Sequence, residues 1–117
     1  MKDHKELDVW KKGMEFAVDI YQVTNNFPPS ELYGLTSQLR KSAVSIPSNI
    51  AEGAARNTEK EFLQFLFIAS GSAAEAETQI LLARRLDFAK DLEVVLSKLV
   101  TVKKLLHGLI RHYKNKR

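Results

Sequence analysis

An all-α fold, an up-down-up-down antiparallel four-helix bundle with a proline-kinked second helix, is predicted by three features of the sequence. Apolar residues recur at steps of three and four through four long stretches, the period of a helix with one buried face. No stretch alternates apolar and polar residues in the way a half-buried strand requires. The breaks between the stretches are only a few residues long, so consecutive helices must return antiparallel. The helices are expected at about 8–25, 35–54, 58–86 and 90–114, within one domain over residues 1–117.

Asp8 is placed to cap the first helix. Behind it, Trp10, Met14, Ala17, Val18 and Tyr21 form a stripe that reads as core, while Val9, Gly13, Phe16, Ile20 and Val23 form a second stripe on an adjoining face. One bundle core needs only one such face. The surplus therefore predicts burial elsewhere, which makes Val9, Phe16 and Ile20, with Phe67 of the third helix, candidates for a subunit interface. Asn25 to Ser30 break the pattern, because Pro28 and Pro29 lack donors and bias their predecessors away from helix.

Leu35, Leu39, Ala43, Ile46, Ile50 and Ala54 mark the second helix, with Pro47 inside it. The apolar period continues past Pro47, which predicts a kink and not a stop. Thr58 and Glu61 have the spacing of a capping box and open the third helix. Its stripe, Phe62, Leu66, Ala69, Ala73, Ala76, Ile80 and Ala83, alternates steps of four and three, the rhythm of helices crossing at about 20°. After a slip around Leu86 to Ala89, the fourth stripe runs from Leu92 through Val95, Leu99, Val102 and Leu106 to Ile110 and Tyr113.

Composition narrows the function. The chain has 117 residues, 44% hydrophobic and 27% charged, and no cysteine, which leaves out disulfides, thiolate metal sites and cysteine nucleophiles. Met1 to Glu6 are charged where a signal peptide would be apolar, and no run of about 20 apolar residues is present to span a membrane. A cytoplasmic location is expected. His4, His107 and His112 have no carboxylate or second histidine three or four residues on along the same helix face, so neither the Glu-x-x-His pairs of di-iron bundles nor any other cofactor site is expected, and neither is an enzyme.

The net charge of +4 comes from 18 Lys and Arg against 14 Asp and Glu. Much of the excess lies in Lys103, Lys104, Arg111, Lys114, Lys116 and Arg117, which either complement the dipole of the last helix or contact nucleic acid. The second helix carries a dense polar set around Pro47, and it has two readings. In one, Gln38, Ser45, Asn49 and Glu52 form a network that satisfies the backbone at the kink. In the other, Arg40, Lys41 and Arg56, together with Arg84, Arg85 and Lys114, bind the phosphates of RNA or DNA.

The run from Tyr33 to Gly53, YGLTSQLRKSAVSIPSNIAEG, resembles the signature of the bacterial 23S rRNA intervening-sequence proteins. Leu7, Val9 and Trp10, and the stretch from Glu61 through Ala69, Gly71, Ser72 and Glu75, are also similar to that family. The resemblance implies a four-helix bundle that assembles into a homo-oligomeric ring, with a pentamer the expected form. The family takes its name from genes lying inside intervening sequences of ribosomal RNA, so the name is not an activity. A related branch serves as the accessory protein of diversity-generating retroelements, where a basic oligomer is associated with a reverse transcriptase and nucleic acid. The expected function is a non-enzymatic, self-associating binding or scaffold module. The alternative is a nucleic-acid-binding accessory protein.

Overall fold

In the computed structural model, which describes residues 3–116, the chain forms four long helices and, among the described residues, no strand. They are α1 (Asp8–Thr24), α2 (Ser37–Ala54), α3 (Glu59–Arg85) and α4 (Leu92–Lys114), each end within two residues of its sequence expectation. Each helix packs on its neighbour in the chain and α1 packs on α4, which closes an antiparallel bundle of 48 × 21 × 20 Å. Short helical turns at His4–Glu6 and Pro29–Glu31 precede α1 and α2, and a wide turn over Leu32–Thr36 leads into α2. Met1, Lys2 and Arg117, the last of these in the expected basic tail, lie outside the described residues.

Local chemistry sets the ends. Leu7, not Asp8, is the N-cap of α1, and it contributes no side-chain bond. Asp8 is the first helical residue, where its carboxylate still faces the positive end of the dipole. Thr58 caps α3 as expected: its Oγ1 accepts from the Glu61 N–H at 3.1 Å and donates to the Glu61 carboxylate at 3.2 Å.

The end of α3 is a Schellman motif, in which Phe88 N–H reaches Ala83 O at 3.0 Å and Asp87 N–H reaches Arg84 O at 3.1 Å. Asp87 holds the left-handed position, with φ 58°, which is usually glycine's because a Cβ is crowded there. Phe88 then packs edge-on against Phe27 at 5.6 Å, tying the loop to the core. Asp87→Gly is expected to raise stability by about 0.5–1 kcal/mol, read from the urea midpoint at an unchanged slope.

One contiguous core joins all four helices, and it corrects the reading of α1. Val9, Phe16 and Ile20, expected at a subunit interface, are core residues of their own chain, with Phe16 and Ile20 at 0% exposure. The stripe expected to be core faces outward: Met14, Val18 and Tyr21 are 42%, 54% and 46% exposed, and only Ala17 of that stripe is buried. The physical reason lies in composition. Val9, Phe16, Ile20 and Val23 are hydrocarbon throughout, whereas Trp10 and Tyr21 carry polar atoms that are cheaper to leave near water.

The most extensive packing joins α2 and α3, along a seam with many small buried residues, Ser42, Ala43 and Gly53 on α2 and Ala69, Ser72, Ala73 and Ala76 on α3. Gly53 marks the closest approach, since a Cβ there would lie 2.6 Å from Phe65 Cβ and 3.0 Å from Phe62 Cδ1. The proline-kinked α2 continues through Pro47 as one helix, and Pro47 is itself buried at the approach of α1, 3.6 Å from where a Gly13 Cβ would stand.

Candidate interaction groove on α1 and α2

The outward stripe of α1 and the adjoining surface of α2 form an apolar groove of about 580 Å³. Trp10, Met14, Val18 and Tyr21 line it from α1, and Val44, Pro47 and Ala51 from α2. Helix periodicity places these residues together: steps of three and four align each set on one side of its helix. His4 closes the groove near the start of α1, its ring edge-on to Trp10 at 5.2 Å. Gln22 and Ser48 are the other polar groups on its walls. Such a surface is suited to covering apolar side chains rather than to moving protons or holding charge.

Arg40 stands at the far end of α1 and is held there by three hydrogen bonds. Its Nε donates to Thr24 Oγ1 at 2.8 Å, its Nη2 to Asn25 Oδ1 at 3.1 Å and to Tyr21 O at 3.4 Å, and its guanidinium lies over the Tyr21 ring at 4.7 Å. It thus acts as a C-terminal cap for α1, supplied by α2, and it braces the ring that forms one end of the groove.

The other expected nucleic-acid contacts do not form one patch. Arg56 bonds Glu52 at 2.9 Å and lies over Phe65 at 4.8 Å, and Arg84 pairs with Glu93 at 2.6 Å, while Lys41, Arg85 and Lys114 are exposed. The antiparallel topology puts Arg40, Lys41, Arg84 and Arg85 towards one end of the bundle and Arg56 and Lys114 at the other.

Around the kink, Asn49 Nδ2 donates to Ser45 O at 2.8 Å and to Ser45 Oγ at 2.9 Å, and Ser45 Oγ lies 2.9 Å from Ser72 Oγ of α3. The carbonyl satisfied is therefore that of Ser45, not the Ala43 carbonyl that Pro47 cannot serve. Glu52 is outside this set because it pairs with Arg56, and Gln38 is exposed. Ser72 is the member that sequence reasoning missed. It lies 27 residues from Ser45, and its only signal is a small polar residue inside an alanine-rich helical stripe.

Ion pairs join the helices elsewhere. Lys98 of α4 bonds Asp19 of α1, and this bond holds the ammonium above the usual lysine range, since the carboxylate favours the charged form. Lys116 is raised in the same way by Glu59, at 2.7 Å. Among the described residues, no three His, Asp or Glu side chains gather as metal ligands, and no helix is long and apolar enough to cross a membrane.

Known proteins share this architecture. In structure the chain is similar to a protein of unknown function from the S23 ribosomal protein family of Bacteroides thetaiotaomicron, at 28% identity and a TM-score of 0.78 over 87% of this chain and 97% of that one. No curated protein matches the chain in sequence. The sequence profile of the 23S rRNA-intervening sequence proteins matches residues 5–108, from the turn before α1 into the second half of α4. With all four helices thus represented, the chain belongs to the 23S rRNA-intervening sequence protein family.

Proposed function

We propose that the protein is a non-enzymatic, self-associating bundle whose α1/α2 groove is covered by another copy, forming a homo-oligomeric ring that serves as a binding or scaffold module. The groove carries this reading. Met14, Val18 and Tyr21 stand out from α1 beside Trp10 and exposed Val44, and contiguous apolar surface of this kind marks an interaction site. Trp, Tyr and Met are also the residue types enriched at the centres of interfaces. A pentamer is the ring that the family resemblance implies. The nucleic-acid reading has less support, because Arg40, Arg56 and Arg84 are held by groups of their own chain.

Light scattering on a gel-filtration column tests the proposal. The protein is expected to elute as an oligomer at both low and high salt, and Met14→Glu with Val18→Glu to bring the mass down to the 13.3 kDa of one chain. A wild-type monomer would refute self-association. An oligomer that loses nucleic-acid absorbance at high salt would move RNA or DNA binding ahead of the scaffold reading.

A further inference from the structure

Two glycines inside helices have no explanation within the chain, and one of them adjoins an apolar ridge. Gly53 is required by Phe65 and Phe62, and Gly13 lies against Ile46 and Pro47, but nothing comes within 4 Å of a Cβ built at Gly71 or Gly108. A helix-interior glycine is destabilising relative to alanine, so a glycine that no neighbour requires points to close approach from outside. Gly71 is exposed on α3, one turn after Phe67 and Ile68, which are 48% and 50% exposed. Periodicity continues this outward face through Ala74, Glu75 and Thr78.

The ridge and the groove are complementary in shape and charge. Phe67 and Ile68 stand out from α3, about half exposed, whereas the α1/α2 surface is a hollow. Lys11 shares the helix face of Met14 and Val18, and Lys41 that of Val44 and Ser48. Glu61 and Glu75 lie seven residues to either side of Ile68, and Lys60 lies seven before Phe67, so carboxylates outnumber ammonium groups along the ridge. Among the described residues, none of Lys11, Lys41, Glu61 and Glu75 has an ion-pair partner within 4.0 Å. The carboxylates next in sequence to groove residues, Asp3, Glu15, Asp19 and Glu52, have His4, Lys12, Lys98 and Arg56 as their respective partners. Two other exposed apolar pairs lack such a glycine: Leu32 and Tyr33 adjoin Gly34, whose Cβ would meet Glu31 of the same chain, and Leu82 and Leu86 at the end of α3 have no glycine beside them.

We infer that the α3 ridge of one copy, Phe67 and Ile68 with Gly71 beside them, seats in the α1/α2 groove of the next copy. This rests on the self-association reading and deepens it. Because the two surfaces differ, the contact is head to tail: each copy gives a ridge to one neighbour and a groove to the other, as a closed ring requires and a two-fold dimer does not. Gly71 lets the backbone of α3 come close to the groove wall.

Two surface variants and their mixture test this. Val18→Glu spoils the groove and Ile68→Glu the ridge, and each alone is expected to run at the 13.3 kDa of a single chain. Mixed in equal amounts, they retain one intact groove and one intact ridge and are expected to form a 1:1 heterodimer of twice that mass. No heterodimer in the mixture, or an Ile68→Glu protein that keeps the wild-type mass, would overturn the inference while leaving self-association standing. A monomeric wild type would remove both. Gly71→Gln adds an independent readout: it is expected to raise the melting temperature of the Val18→Glu monomer while lowering the oligomer fraction of the otherwise wild-type chain, and an unchanged oligomer would count against the inference.

Discussion

Phe16→Ala is expected to lower the unfolding free energy by about 3–5 kcal/mol, although Phe16 belongs to the α1 stripe that sequence alone assigns to a subunit contact. At 0% exposure its ring is enclosed by the chain's own core, so truncation leaves a cavity that the surrounding helices close only in part. The measurement is urea unfolding in a Val18→Glu background, where folding is not coupled to association. Tyr21→Ala on the opposite stripe, at 46% exposure, is the control, and a change near the roughly 0.5 kcal/mol typical of surface sites is expected. If Phe16→Ala altered the mass of the wild-type protein but not its stability, the assignment of the two faces would be reversed.

Gly53→Ala is the second large effect, and its sign is informative. At an open helical position, replacing glycine with alanine stabilises by about 0.5–1 kcal/mol, which is the expectation for Gly108, whose Cβ would meet nothing within 4 Å. At Gly53 the new methyl would stand 2.6 Å from Phe65 Cβ and 3.4 Å from Phe62 O. Neither atom can swing aside, because a Cβ and a carbonyl move only with the backbone. The small-residue seam between α2 and α3 must open to admit the methyl, and a net loss of about 1–3 kcal/mol is expected. Thermal unfolding of Gly53→Ala and Gly108→Ala side by side should move the midpoints in opposite directions, and a gain at both would mean that α2 and α3 are not packed this closely.

The fold was legible because periodicity and capping are local. Thr58 and Glu61 place the start of α3 to within one residue, and the heptad stripe from Phe62 to Ala83 is buried throughout. Which face of α1 points inward was not legible from period alone, since both stripes repeat every three or four residues. The chemistry of the residues held the clue: the buried stripe has no polar atom beyond its backbone, and the outward one includes Trp10 and Tyr21. Arg40 shows the same limit. A cation among serines reads as a phosphate ligand, but its partners Thr24 and Asn25 lie 16 and 15 residues earlier, and only the antiparallel return of α2 brings them into reach. Ser72 and the glycines are decided by what comes near them in space, which no single helical repeat reveals.

A helix that is apolar on two faces also affects the folding chain in time. Val9, Phe16 and Ile20 are covered only when α1 has packed on α2 and, 68 residues after α1 ends, on α4. Synthesis at about 5–20 residues per second leaves that last partner missing for several seconds. If a second copy covers the outer stripe, as proposed, Met14, Val18 and Tyr21 wait longer still, for another finished molecule. Local protein concentration during translation thus becomes part of the folding problem. Neighbouring nascent copies on one messenger would shorten the exposure of α1, whereas dilute synthesis would prolong it and favour capture by chaperones or aggregation.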